Sequence, residues 1–469
     1  MPIRLLTLLV LITALTSPAR SAPPHIVLIV ADDLGYTDLA CFGSGYYRTP
    51  HLDRLARSGM TFTATYTCGP NCAPTRACLM SGQYSPRHGI YTVASGARGP
   101  ARLRKLVPVN NTTVLDTKII TLAETLQAAG YSTAHFGKWH LGPPPTAGPR
   151  QQGFDINFAG NQSGSPRGGY FSPYRNPQLD NGPDGEHLTD RLSAEAAQVI
   201  RQHVRTSPDK PLFLYLPYYA VHTPIQAKKT LAAEYARRAT AKGHNNPKYA
   251  AMVETMDAGV GLVLAALEDT KIADNTLVIF TSDNGGLGGY TSANKILPNG
   301  ITDNAPLKGG KGMLYEGGIR VPMIVRWPGH TRPASTCSTP LITVDFYPTL
   351  AEIAGATLPN NQPSDGVSFV GLLHGKPQSE RELFWHFPGY LQAYGYQGAW
   401  RTTPAAAVRQ GDWKLIEFFE DGRLELYHTG RDIGESKNLV QAEPEVAARL
   451  HKLMVDWRTR IKAPMPTRE

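Results

Sequence analysis

Cysteine is scarce in this chain, with five among 469 residues. That excludes a small disulfide-built scaffold. Long apolar runs are scarcer still. Leu5 to Leu15 is almost wholly apolar, but about 11 residues fall short of the roughly 20 that span a bilayer. Arg4 precedes this run, and the small-residue stretch Ser17-Pro18-Ala19-Arg20-Ser21-Ala22 follows it. Together they read as a signal peptide over residues 1–22. The pattern shows no second run of spanning length, so the expected mature protein is soluble, without a stable membrane anchor, and periplasmic or secreted. Repeats and Pro- or Ser-rich blocks are missing beyond the leader, which excludes solenoids and linkers. Lys/Arg clusters interleaved with aromatics are missing too, so no nucleic-acid partner is expected. The net charge is +9, with the basic residues scattered apart from Arg98 to Lys105. Such a balance suits either a solvated surface or a field that attracts anions.

Hydrophobic residues make up 41% of the chain and charged residues 18%, values of a globular protein. Its length calls for one large domain and a smaller one. His25 to Val30, Leu212 to Leu216 and Thr276 to Phe280 are continuous apolar runs that read as strands buried on both faces. Helical patterns lie between them. Thr49-Pro50 opens one that Gly59 stops. Thr121-Leu122-Ala123-Glu124 is a capping-box pattern that opens another. Pro247 to Asp269 is long and amphipathic. This alternation predicts an α/β fold, a large and mainly parallel or mixed sheet sandwiched by helices. The tail differs. Residues 405–416 and 423–427 read as strands joined at Asp421-Gly422, and a helix runs from Pro444 to Ile461. The expected division is 23–376 for the large domain and 377–469 for a small α+β domain of antiparallel sheet plus helix.

In open α/β sheets, ligands bind beyond the carboxyl ends of the strands. Here those ends carry Asp32 and Asp33, Lys138 and His140, His222, and Asp283 with Asn284. One such end could be an ordinary turn; four together point to a site. Asp32, Asp33, Asp283 and Asn284 offer only oxygen, which suits a hard cation, calcium or magnesium, rather than zinc.

Cys72-Ala73-Pro74-Thr75-Arg76, followed by Leu79-Met80-Ser81-Gly82, resembles the signature of the sulfatase family. Gly130 to His140 resembles the second family signature. Ile29 to Gly35, Thr281 to Gly285, Gly310-Lys311-Gly312 and Tyr315 to Gly318 resemble further family blocks, in family order. The resemblance implies that Cys72 is oxidised during export to formylglycine by a formylglycine-generating enzyme. It implies one calcium ion on Asp32, Asp33, Asp283 and Asn284, with the modified Cys72 as a further ligand. It assigns Arg76 and Lys138 to the aldehyde hydrate, His140 to its breakdown, and His222 and Lys311 to the sulfate and the leaving oxygen. Ser163 is a looser match to a polar position near the sulfate.

The odd cysteine count fits one thiol with a separate task. Cys41, Cys68, Cys78 and Cys337 then remain, and Cys68 and Cys78 form either a disulfide or two buried thiols. The aromatic stretch from Phe384 to Tyr390, with Tyr394, Tyr396 and Trp400 after it, resembles sulfatases acting on galactose-type sugars. It places His386 at the rim as a sugar contact, with a sulfated carbohydrate as the expected substrate. Two alternatives stay open: a phosphodiesterase or phosphonate hydrolase of the same superfamily, and a non-catalytic binder of sulfated glycans.

Overall fold

The computed structural model describes residues 23–241, 243–288, 291–292, 295–296, 301–392 and 400–468. The leader 1–22, Tyr394 and Tyr396 lie outside the described residues. Nine strands form the large sheet. Its order is Ser335–Cys337, Met60–Tyr66, Arg320–Arg326, Thr276–Ser282, His25–Ala31, Leu212–Pro217, Ser132–Phe136 and Ile156–Phe158, with Leu341–Ile342 also paired to Met60–Tyr66. The strands from Thr276–Ser282 to Ile156–Phe158 run parallel. Arg320–Arg326 runs antiparallel to both of its neighbours, so the sheet is mixed.

The central strand shows why its sequence is apolar throughout. Alternate side chains of a strand point to opposite faces. Val27, Ile29 and Ala31 join a core with Leu192 and Ile200 of helix Leu188–Thr206 and with Met252, Met256 and Val260 of helix Pro247–Asp269. Ile26, Leu28 and Val30 join the opposite core, with Ala73 and Ala77 of helix Cys72–Ser81 and Leu122 of helix Leu122–Ala128. Both faces are covered, so neither register of side chains can be polar. Helix Pro247–Asp269 is long and apolar enough to span a membrane, which the sequence pattern did not register, yet it is mostly buried inside this core.

Local signals behave as expected in several places. Thr121 accepts from the Glu124 N–H, and the Glu124 carboxylate accepts from the Thr121 N–H, closing the capping box. The helix opened by Pro50 runs to Ser58 and stops at Gly59. Two strands outrun the sequence pattern. Met60–Tyr66 alternates threonine with apolar residues, and Arg320–Arg326 begins and ends on arginine.

The second sheet has four antiparallel strands, Glu382–Phe387, Ala405–Gln410, Trp413–Phe418 and Arg423–His428. Residues 405–416 are thus two strands, not one, because Gly411 turns the chain with φ of +57°. Helix Pro444–Arg460 packs Leu450 and Trp457 onto this sheet, in one core with Tyr66, Cys68 and Cys78 of the large domain. Trp385 Nε1 donates to the Thr67 carbonyl at 2.6 Å, tying the two sheets directly. Cys68 and Cys78 touch within this core as two free thiols. Burial and its contact with Cys78 hold the Cys68 thiol far up.

Candidate active site

The parallel strands deliver their carboxyl ends to one edge of the sheet. Asp32 and Asp33 follow Ala31, and Asp283 and Asn284 follow Ser282 on the neighbouring strand. Lys138 follows Phe136, and its N–H donates to the Pro217 carbonyl at 2.7 Å. His222 lies five residues past Pro217.

Cys72 comes from a different element, the first turn of helix Cys72–Ser81. Pro74 is tolerated there because first-turn N–H groups have no partner within a helix. Gly82 ends the helix in the left-handed conformation, φ +67°. Arg76 lies four residues after Cys72 and therefore on the same face. All ten residues of this helix are buried.

Three ion pairs organise the centre. Lys138 Nζ lies 2.5 Å from Asp32 Oδ2. Lys311 Nζ spans both oxygens of Asp33, at 2.6 and 2.7 Å. Arg76 reaches Asp283 Oδ2 through Nη2 at 2.7 Å and Nε at 2.9 Å, while its Nη1 donates to the Lys138 carbonyl. Asn284 Nδ2 donates to Asp33 Oδ1 at 2.8 Å. His222 Nε2 stands 3.7 Å from Asp33 Oδ2, and its Nδ1 meets the Thr223 carbonyl. One ligand atom each from Asp32, Asp33, Cys72 and His222 lie within 4.8 Å of one another.

The oxygens of Asp32, Asp33 and Asn284 fit a hard cation. Asp32 Oδ1 and Asn284 Oδ1 are buried oxygens without a hydrogen-bond partner, which a neutral, closed site would not leave. Three carboxylates meet three cations, so an added divalent ion would leave the centre positive and suited to an anion.

Charge shifts follow this arrangement. Burial pushes the Cys72 thiol up, but Lys138 and Lys311 outweigh it and bring the group down to about 6. An anion at that position is therefore favoured. Burial, then Lys138 and Arg76, hold His140 well below the ordinary histidine range, so its ring is neutral. Burial and Lys311 lower His222, while Asp33 and Asp32 raise it, and the net shift is upward.

Backbone placement is tight. Asp33 and His140 both adopt left-handed φ values, 64° and 65°. Strain of this kind costs on the order of 1–3 kcal/mol and collects at functional sites. His140 donates its N–H to the Asn161 carbonyl, and a Cβ on Gly164 would fall 2.4 Å from its ring. Lys311 arrives through glycine-to-glycine packing. A Cβ on Gly310 would lie 2.0 Å from the Gly288 carbonyl oxygen, and one on Gly285 would lie 1.8 Å from that of Gly317.

Asn304 was not legible as a site residue. Its Nδ2 bonds the Gly286 and Gly309 carbonyls and its Oδ1 accepts from the Gly286 N–H, stitching the Asp283 loop to the Lys311 loop. No residue pattern around Asn304-Ala305-Pro306 marks it. Glu316 stands in the block Tyr315 to Gly318, but no role for it was legible. Buried, it bonds Tyr66, Arg320 and Lys414 and joins the two domains.

Two expected substrate contacts sit differently. Ser163 is near His140 in the chain segment 161–164, but its hydroxyl accepts from Arg167 Nε at 2.6 Å. His386 is not on a rim loop. It lies within strand Glu382–Phe387 opposite Ala406, buried, with Nε2 on the Pro464 carbonyl at 2.8 Å. Ladder pairing continues through the aromatic stretch to Phe387, so the bend suggested by Pro388-Gly389 begins one residue too late to expose it.

Residues 24–356 match the family model Sulfatase, and residues 310–460 match that of N-sulphoglucosamine sulphohydrolase, C-terminal. The chain belongs to the sulfatase family. It is similar to a sulfatase of Formosa agariphila, 36% identical over 96% of this chain and 91% of that one. It is also similar to the N-acetylgalactosamine-6-sulfatase of Sus scrofa, 33% identical over 92% and 84% of the two chains. Among solved structures it resembles Ps i-CgsB in complex with k-i-k-neocarrahexaose, with a TM-score of 0.74, 30% identity and coverage of 93% and 92%. This sulfatase is accordingly a sulfuric ester hydrolase, and its mixed sheet and small C-terminal sheet are those of its structural neighbours.

Proposed function

We propose that this sulfatase is exported and releases inorganic sulfate from a sulfated carbohydrate, with Cys72 carried as formylglycine and one calcium ion on Asp32, Asp33, Asp283 and Asn284. The observation that carries the reading is the meeting of Cys72 with Asp32, Asp33 and His222 inside 4.8 Å, beside the buried cations Lys138, Lys311 and Arg76. Similarity to an N-acetylgalactosamine-6-sulfatase and to a structure in complex with k-i-k-neocarrahexaose supports the sugar class. The modified Cys72 is a further ligand in this reading, and a formylglycine-generating enzyme is the maturation partner.

The chemistry divides among the residues present. The calcium ion would neutralise charge on the sulfate and polarise its oxygens. The aldehyde hydrate at position 72 would supply one hydroxyl for attack on sulfur and a second for its own later collapse. Arg76 and Lys138 hold position 72 in a cationic setting that favours its anionic form. Lys311 and His222 flank Asp33, and in this reading they contact the sulfate and the leaving oxygen. His140, neutral by its surroundings, accepts the proton whose loss re-forms the aldehyde and frees sulfate.

Peptide mass spectrometry of active enzyme should find the aldehyde at position 72. Cys72→Ala should abolish sulfate release, and full activity there would end the reading. Exhaustive chelation should remove activity and added calcium should restore it. The competing reading, a phosphodiesterase of the same superfamily, requires aryl phosphodiester to be cleaved faster than aryl sulfate. Sulfated galactose-type sugars should outrank both aryl and steroid sulfates, and the reverse order would refute the sugar class.

A further inference from the structure

A carboxylate outside the ligand set ties together the two loops that carry the proposed ligands. Asp38 follows the Asp32-Asp33 turn and is fully buried. Both of its oxygens are engaged. Oδ2 accepts the Gly35 N–H at 2.8 Å and the Tyr249 hydroxyl at 2.5 Å. Oδ1 accepts the Thr302 hydroxyl at 2.6 Å, with His244 Nε2 at 3.5 Å. Gly35 belongs to the turn itself, Tyr249 to helix Pro247–Asp269, and Thr302 to the segment that leads to Asn304.

Each of these donors leads to one half of the site. Gly35 closes the turn that begins at Asp33, whose φ is +64°. Tyr249, wholly buried, has its hydroxyl 3.4 Å from the Asp33 carbonyl oxygen as well. Thr302 serves the other half. Its N–H and that of Ile301 donate to the Leu287 carbonyl, at 3.3 and 2.7 Å. A Cβ on Gly286 would fall 2.5 Å from Thr302 Cγ2 and 3.1 Å from Gly35 Cα. The loop leaving Asn284 is therefore packed directly on the turn leaving Asp33. A cation gains fully from such loops only if their oxygens arrive already placed, because freedom between the loops is lost on binding.

We propose that Asp38 is a positioning residue for the metal, holding the Asp32-Asp33 turn and the Asp283-Asn284 loop at the spacing the ion requires and so setting the affinity for it. This rests on the calcium site of the reading above. Asp38 acts through Gly35, Tyr249 and Thr302 rather than as a ligand. Asn304 forms a second tie between the same loops. Its Oδ1 accepts the Gly286 N–H at 3.2 Å and would lie 2.6 Å from a Cβ on Gly35. Changing Asp38 should therefore loosen the site without dissolving it.

The test measures calcium affinity besides activity. The full chain is stripped with chelator and titrated with calcium by isothermal titration calorimetry, as wild type, Asp38→Asn, Tyr249→Phe and Thr302→Val. Partners that orient metal ligands are worth roughly 10- to 100-fold in affinity, so Asp38→Asn should raise the calcium Kd by that factor. Tyr249→Phe and Thr302→Val each remove one hydrogen bond to Asp38 and should raise it by roughly 2- to 10-fold. These two carry the test if Asp38→Asn does not fold. Both act through Asp38, so adding either to Asp38→Asn should change Kd by less than about twofold. At saturating calcium each variant should keep kcat within about threefold of wild type, since excess ion fills a weakened site. A calcium Kd unchanged in the variants, with only the Tm of the calcium-free protein lowered, would make Asp38 a support of the fold and overturn the proposal. Penalties that add in the double variants overturn it too, as does a loss of kcat that calcium fails to restore. A wild type that binds no calcium would instead refute the metal reading itself, and the proposal falls with it.

Discussion

Lys414 offers a quantitative test of how the second sheet is anchored. It sits on strand Trp413–Phe418, wholly buried, with Nζ 3.0 Å from Glu316 Oε1 and 2.9 Å from Glu435 Oε1. Glu316 also receives Tyr66 OH at 2.7 Å and Arg320 at 3.2 Å, whereas the Glu435 carboxylate accepts the Glu316 N–H at 2.7 Å and the Glu435 carbonyl accepts from Lys308 Nζ at 3.3 Å. Burial pushes the Glu316 carboxyl up, but Lys414 and Arg320 outweigh it and bring the group down to about 2. Burial raises Glu435 to about 7 even with Lys414 opposing. Lys414→Met removes the cation paired with the Glu435 carboxylate. Breaking a buried pair costs about 3–5 kcal/mol. Glu435 is already half-inclined to take a proton at neutrality, which places the loss at the lower end, about 3 kcal/mol. The unfolding entropy of a chain this size is on the order of 1 kcal/mol/K, so Tm should fall by about 3 °C if the chain melts as one unit. It should fall further if the small domain melts alone. The sign of the pH effect follows. Without Lys414 the folded-state value for Glu435 rises further above that of the unfolded chain. The resulting penalty is present at high pH and is relieved as pH falls through the raised value. Calorimetry of Lys414→Met at pH 8 and pH 6 should therefore show the larger deficit at pH 8, and adding Glu435→Gln should restore most of it. An unchanged Tm, or no recovery in the double variant, would refute the anchoring argument.

Acid should destabilise the fold through its buried histidines. His135, packed among Trp139, Phe154 and Tyr215, is lowered by burial and then by Arg76 to about 3, and His386 is lowered by burial to about 4. A depressed histidine means the unfolded chain binds the proton first, so stability is full above pH 6.5 and falls as pH drops below it. At pH 4.5 His135 alone accounts for about 3 kcal/mol. His135→Phe should flatten the difference between urea midpoints at pH 7 and pH 4.5, and an unaltered slope would refute it. Gly164→Ala should lower kcat by about 10- to 100-fold with KM little changed, since a Cβ 2.4 Å from the His140 ring displaces the proton acceptor. The φ of Gly164 is not in the left-handed region, so wild-type kcat in this variant would mean that His140 placement does not limit the rate. Cys68 and Cys78 should resist thiol reagents in the native protein and react after denaturation, and a disulfide found by non-reducing peptide mapping would contradict the structure's two thiols.

Much of the site was legible because its residues are local consequences of strand ends. Asp32-Asp33 and Asp283-Asn284 directly follow apolar runs, and parallel pairing of those runs, Ala31 against Ser282, necessarily brings the two pairs together. Helix Cys72–Ser81 was legible through its own motif, and four-residue spacing places Cys72 and Arg76 on one face. The reach of Lys311 to Asp33 spans 278 residues. The family pattern suggested a shared site for these two residues, while their contact depends on glycine backbones packing against each other.

The sequence by itself determined the covered sheet and the edge at which Asp32, Asp33, Asp283 and Asn284 gather, because periodicity and strand order are properties of short segments. Tertiary structure alone decided the rest. Phe384-Trp385-His386-Phe387 could have been a rim loop or a strand, and its aromatic residues suited both. Pairing to Ala405–Gln410 chose the strand and buried His386, because the backbone groups of a buried segment must find partners. Arg401 carries no local signal, and Glu316 lies in the Tyr315 to Gly318 block without any sign there of the partners it meets. One gains its place by crossing from the small domain to Gly312, the other by gathering Tyr66, Arg320 and Lys414 from three strands. Such meetings are set by the packing of whole sheets, which no window of neighbouring residues contains.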